Sequence, residues 1–115
     1  MRKGNHNIYV IELDKRIWRE KKKFREANPG YTHQQECLYV GITSLKPEDR
    51  IIQHLHGLKS KKGFNLASKI VTQYGLCLRP SLYNHLNPLT RKRATILEGH
   101  LAKSLRLRGY AVWWN

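Results

Sequence analysis

Two short stretches constrain this chain more than anything else in it. Residues 8–13 (IYVIEL) and 37–43 (CLYVGIT) are rich in β-branched and aromatic side chains and read as strands. Between them, Asp14 is placed to cap a helix from Lys15 to about Ala27, stopped by Asn28-Pro29-Gly30, with only Ile17, Trp18 and Phe24 apolar. Further on, Pro47, Glu48 and Asp49 suit the first turn of a second helix that Gly57 ends, with Ile51, Ile52 and Leu55 on its core side. Residues 61–74 predict a third helix ended by Gly75, and residues 76–83 a strand pushed to a sheet edge by Pro80. Asn87-Pro88 predicts the cap and first residue of a last helix, running to Arg108 and ended by Gly109. Residues 110–114 predict a short strand or an extended tail that packs aromatics. The order β-α-β-α-α-β-α-β is that of a small α/β or α+β layer fold.

The 115 residues allow one domain, 1–115, that buries roughly two thirds of its unfolded surface. Its charge is what narrows function. Twenty-two Lys and Arg face eight Asp and Glu, a net of +14. Residues 1–58 carry 11 basic and 7 acidic side chains, and residues 59–115 carry 11 and 1. Such a surface favours a polyanion, nucleic acid before anionic membrane. No secretory signal and no membrane span are legible, and Cys37 and Cys77 lack metal-ligand spacing. These features predict two buried thiols in a cytoplasmic protein.

Three sets of residues stand out. Glu98 is the only acid after Asp49. Ala94, Leu97, Leu101 and Leu105 form a helical stripe, and Glu98 falls at its edge. A carboxylate there needs a cation: a structural Arg or Lys, or a divalent metal. Gly99 beside it suggests a close approach by another group. Arg50 and His54, four apart, share a helix face that either grips a phosphate and handles a proton or is simply solvated. Tyr9 and Tyr39 sit mid-strand, either packing or offering hydroxyls to a ligand, and Gly41 would let a ligand or backbone come close.

Asn7-Ile8-Tyr9, Tyr39-Val40-Gly41, Arg50 with His54 one turn later, and Glu98 occur in an order that resembles the GIY-YIG nuclease family, over nearly the whole chain. Asn7 stands where the first motif has glycine, Val40 where the second has isoleucine, and residues 14–35 are inserted between the motif strands. The resemblance implies a small central antiparallel sheet of about three strands flanked by helices. It also implies a metal-dependent endonuclease that hydrolyses DNA phosphodiesters. Its catalytic residues would be Tyr9, Tyr39, Arg50, His54 and Glu98. Gly41 belongs to the motif, and Asn115 matches a family asparagine.

In that reading Glu98 holds a single Mg²⁺ or Mn²⁺, Arg50 binds the non-bridging oxygens, and Tyr9, with His54 close behind, takes the proton from water. Tyr39 orients water or phosphate. A phenol is a poor base at neutral pH, so the metal or Arg50 would have to lower its pKa. Lys15, Arg16, Arg19, Lys21, Lys22 and Lys23, then Lys61 and Lys62 with Lys59, then Arg91 and Arg93 with Lys92, would line a channel along the nucleic-acid backbone. Residues 14–27 would dock lightly, as a grip outside the core. Trp18, Trp113 and Trp114 would stack on bases or pack in the core. Targeting would come from a homodimer, the insertion, a partner protein, or a weak structural preference such as for single strands or branched DNA. Two readings without catalysis share these residues: a nucleic-acid-binding module on the same fold, and a basic RNA-associated protein.

Overall fold

The computed structural model describes residues 4–56 and 69–114. Strands β1 (Asn7–Leu13), β2 (Cys37–Thr43), β3 (Gly75–Leu78) and β4 (Ala111–Trp114) form one sheet in the order β3-β1-β2-β4. β1 pairs antiparallel with β2 and β3, as expected, but β4 adds in parallel to β2, so the sheet has four strands and is mixed. The parallel partner arrives through the long helix α5 (Arg91–Leu107), a crossover that a tight turn could not replace.

The pleat divides the sheet into two faces. Pairing of Tyr9 with Gly41, and of Tyr39 with both Ile11 and Trp113, sets these residues on one face. Helices α1 (Arg16–Glu20), α2 (Lys22–Ala27), α3 (Pro47–Leu55) and α4 (Lys69–Tyr74) cover it. Val10, Val40, Val112 and Trp114 point the other way, and α5 packs there, with Arg106 stacked over the Trp114 ring at 4.4 Å. Ile8, Val10, Leu38, Val40 and Val112 are fully buried, which is why these segments are apolar almost without alternation.

Several local expectations are corrected. The helix over residues 15–27 is two helices that break at Lys21, whose backbone is extended. The Arg25 guanidinium donates to the carbonyls of Trp18 and Arg19, which the break leaves without helical partners. This segment does not dock lightly. Ile17 and Phe24 are fully buried, and Asn28 ties it down, donating to the Phe24 carbonyl and accepting from Val112 N–H and Arg106 Nε. Asn87-Pro88 does not start α5. The Asn87 amide instead completes the pairing of Ile8, donating to its carbonyl and accepting from its N–H, and Thr90 caps the helix. Cys37 is buried, but Cys77 is exposed on the edge strand. Gly57, residues 61–68 of the third expected helix, Lys59, Lys61, Lys62 and Asn115 lie outside the described residues. No helix among the described residues is long and apolar enough to cross a membrane.

Candidate active site

The first cluster is built by the two central strands and α3. Gly41 faces Tyr9 across the ladder, and a Cβ there would fall 2.5 Å from Tyr9 Cζ. No other residue fits without displacing the phenol. The space that Gly41 opens is therefore filled by this chain's own tyrosine rather than by a ligand. The Tyr9 hydroxyl lies 2.8 Å from His54 Nε2, a buried hydrogen bond. The Tyr39 ring is 6.2 Å from that of Tyr9 and 5.8 Å from the His54 imidazole, within the range of aromatic pairing. Arg50 and Tyr39 also lie within hydrogen-bonding reach of the Tyr9 hydroxyl, and Arg50 Nη1 donates to Gln53 Oε1.

The helix that supplies Arg50 and His54 is turned differently from expectation. Its buried side chain is His54, at 0 % exposure, while Ile52 and Leu55 are exposed and Ile51 is half-buried. The hydrogen bond from its ring to the Tyr9 hydroxyl favours the polar residue inside, and Thr72 donates to the backbone carbonyl of the same residue at 2.8 Å. Burial and the Arg50 charge push the imidazole down to about 4, so it is neutral at pH 7 and one ring nitrogen is a proton acceptor. Burial first, and then Tyr39, push the Tyr9 phenol well above its ordinary value, with Arg50 opposing. Arg50 alone thus does not make Tyr9 a base.

Glu98 lies on the other face. It sits at the centre of the buried stripe of α5, not its edge. Ala94, Ala102 and Leu105 are turned fully inward and Glu98 lies among them with its carboxylate still touching solvent, while Leu97 and Leu101 are only partly buried. Small residues at 94 and 102 let the helix approach the sheet and carry the carboxylate in with it. Among the described residues Glu98 has neither a hydrogen-bond partner nor an ion pair, so the structural Arg or Lys contact weighed above is absent there. Burial alone pushes its carboxyl up to about 7. Gly99 does not mark a close approach, since a Cβ there would meet only Trp114 Nε1 at 3.9 Å.

Trp114 pairs with Val40, the last β2–β4 pair, and β2 continues through Gly41, Ile42 and Thr43. The structure brings Tyr9, Tyr39, Gly41, Arg50 and His54 together and places Glu98 on the helix that packs against the opposite face of the sheet. No hydrogen bond or ion pair links Glu98 to those five among the described residues.

Lys15, Arg16, Arg19, Lys21, Lys22, Lys23, Arg91 and Arg93 are all exposed. Arg16 is drawn to Asp14 at 3.2 Å and Glu20 at 3.8 Å, which lowers what it can offer a phosphate. No group of three or more His, Cys, Asp or Glu among the described residues is placed to hold a metal. A metal here would take one protein carboxylate, with water and phosphate oxygens completing its shell. That suits the hard-oxygen chemistry of Mg²⁺ or Mn²⁺, and a buried carboxylate lacking a cation fits it. Sequence reasoning passed over Gln53, the partner of Arg50 on the same helix. The i, i+3 spacing is the signal that marks it. No protein-family model, no curated protein and no solved structure matches the chain.

Proposed function

We propose that this protein is a metal-dependent endonuclease that hydrolyses phosphodiester bonds in DNA, as its resemblance to GIY-YIG nucleases implies. The observation that carries the reading is the interlock of the two motifs. The motif glycine, Gly41, makes room for the motif tyrosine, Tyr9, whose hydroxyl meets His54 one turn after Arg50. A solvated Arg/His face does not bury the histidine, and here the buried imidazole meets the motif tyrosine's hydroxyl at 2.8 Å.

The residues divide the work as follows. A phosphate of the strand lies across the β2 edge at Gly41, with Arg50 neutralising its non-bridging oxygens. Tyr9 positions the attacking water and passes its proton towards His54, and Tyr39 completes the hydrogen bonding around it. The Arg50 charge is one of two causes holding the imidazole low, and a phosphate on Arg50 removes it, so substrate binding makes His54 a better acceptor. Glu98 would hold the divalent ion from the far side, and that ion would stabilise the charge that builds on the phosphate and leaving oxygen. The exposed basic side chains track the neighbouring backbone.

Incubation of labelled single-stranded, duplex and branched DNA, and of RNA, with the protein in Mg²⁺ and in EDTA tests this. Cleavage that requires Mg²⁺, and that is lost in Glu98→Gln and His54→Ala proteins that still bind the strand, is the expected result. Equal binding with and without EDTA and no cleavage anywhere would instead make the protein a non-catalytic nucleic-acid binder.

A further inference from the structure

Away from the Tyr9–His54 cluster, the insertion builds a second concave feature. Trp18, Tyr31 and His33 contact one another with ring centroids 4.8, 4.5 and 5.0 Å apart, and Trp18 and His33 meet at 85°. Together with the head of α1 they line a cleft of about 350 Å³, within the range of small-ligand sites. Packing accounts for Tyr31, which is buried in the core, but leaves His33 and part of Trp18 open to solvent. His33 is exposed, Trp18 is half-buried, and the Tyr31 hydroxyl is already satisfied by the Gln35 carbonyl at 2.7 Å. His33 is also held at φ 65°, in the left-handed region that side chains other than glycine rarely adopt.

The cleft's rim is cationic. Lys15 and Arg19 line it and are exposed, and the one carboxylate on it, Asp14, is paired with Arg16 and so does not repel an anion. Two rings at a right angle suit a flat heterocycle that stacks on one wall and meets the other edge-on. Cations beside them suit the phosphates of the same strand.

We propose that this corner is a subsite for one unpaired nucleobase of a bound strand, with Lys15 and Arg19 gripping the flanking phosphates. The inference rests on the nucleic-acid reading above and adds a preference for single-stranded or locally opened substrate.

The test uses the full chain in EDTA, where cleavage plays no part. Fluorescence anisotropy measures binding of a labelled thymidine hexamer and of a hexamer-length abasic phosphodiester chain. The parent is expected to prefer the hexamer with bases by about tenfold, the scale of one stacked base. His33→Ala, at an exposed position, should fold and is expected to remove most of that preference. Trp18→Leu is expected to do the same, with circular dichroism reporting whether it folds. Lys15→Gln with Arg19→Gln is expected to weaken both ligands equally and to flatten the salt slope by about 0.7 per residue.

Equal parent affinity for the two chains, or full base preference in the His33→Ala protein, overturns the subsite. The same strands in Mg²⁺ separate the two claims. Cleavage without base preference leaves the nuclease reading standing and removes the subsite, whereas base preference without cleavage does the reverse.

Discussion

Two ionisable side chains are buried against opposite faces of one sheet, and the fold treats them differently. His54 is fully enclosed, hydrogen-bonded to Tyr9 and held down to about 4, so burial costs it little because it stays neutral. Glu98 is 9 % exposed, has no hydrogen-bond or ion-pair partner among the described residues, and is pushed up to about 7, so at neutral pH it is caught between its two forms. A group that is satisfied needs nothing more. A carboxylate held at its midpoint gains from any cation that reaches it. In the proposed nuclease, the Tyr9 face would handle protons and the Glu98 face would hold the metal.

The largest expected effect breaks the contrast at Glu98. In the Glu98→Gln protein, Mg²⁺-dependent cleavage should fall by on the order of a thousandfold, the scale of losing a main electrostatic stabiliser. Stability should move the other way. The amide removes an ionisation that the fold resists, so at pH 8 urea denaturation should show a gain of up to about 3 kcal/mol, shrinking to almost nothing near pH 4.5. A Glu98→Gln protein that is less stable at pH 8 would mean that the carboxylate has a partner after all.

The second prediction concerns pH. An unfolded imidazole takes up a proton near 6.5, but folded His54 resists until about 4. The unfolded state therefore binds more protons in that window, and stability is lost as pH falls from about 6.5 to about 4, by roughly 3 kcal/mol. Glu98 runs oppositely, losing stability as pH rises from about 4.5 to about 7. The two slopes partly cancel in the parent, so the acid-side loss should emerge more steeply in Glu98→Gln, and His54→Asn should abolish it. Denaturation midpoints at four pH values between 4.5 and 7.5 read both.

Two glycines sharpen the same comparison. Gly41→Ala forces a Cβ onto the Tyr9 phenol and should cost about 1–3 kcal/mol and most of the activity. Gly99→Ala, with only Trp114 Nε1 at 3.9 Å, should instead stabilise α5 by up to ~1 kcal/mol. Thermal melts of the two proteins should shift in opposite directions.

The smallest effect on folding is expected on the basic surface of the insertion. Lys21, Lys22 and Lys23 are exposed beside the buried Phe24. Replacing all three with Ala should weaken DNA binding about tenfold at low salt and flatten the salt slope by about two, leaving stability within about 1 kcal/mol. Salt titrations of binding, with a melt as control, check this. Phe24→Ala should unfold the same segment, because the insertion is anchored in the core.

Much of the fold and part of the candidate site were legible in the amino-acid order. The strands at residues 7–13 and 37–43 are nearly uninterrupted runs of strand-forming side chains, and no other local structure suits them. The end of α5 at Gly109, at φ 94°, was legible because few residues but glycine adopt that turn. Tyr9, Tyr39, Arg50 and His54 were legible as motif positions, and strand pairing alone brings the two tyrosines together, whereas Arg50 and His54 join them only once α3 packs on that face.

Other features were decided by contacts between segments distant in sequence. Which face of α3 turns inward depended on Tyr9, 45 residues away, offering His54 a hydroxyl that Ile52 could not use. Asn28 and Asn87 both read locally as helix punctuation. Each became a side-chain bridge, to Val112 and to Ile8, because a backbone group arriving from elsewhere needed a partner. The parallel docking of β4 depended on α5 crossing the sheet, and α5 crosses closely because Ala94 and Ala102 are small. Glu98 is the clearest case. The order of residues marked it as a lone acid on a core helix, but only the packing of α5 set it at the centre of that interface. Burial is a property of the assembled layers, and it is burial that raises the carboxyl towards neutrality.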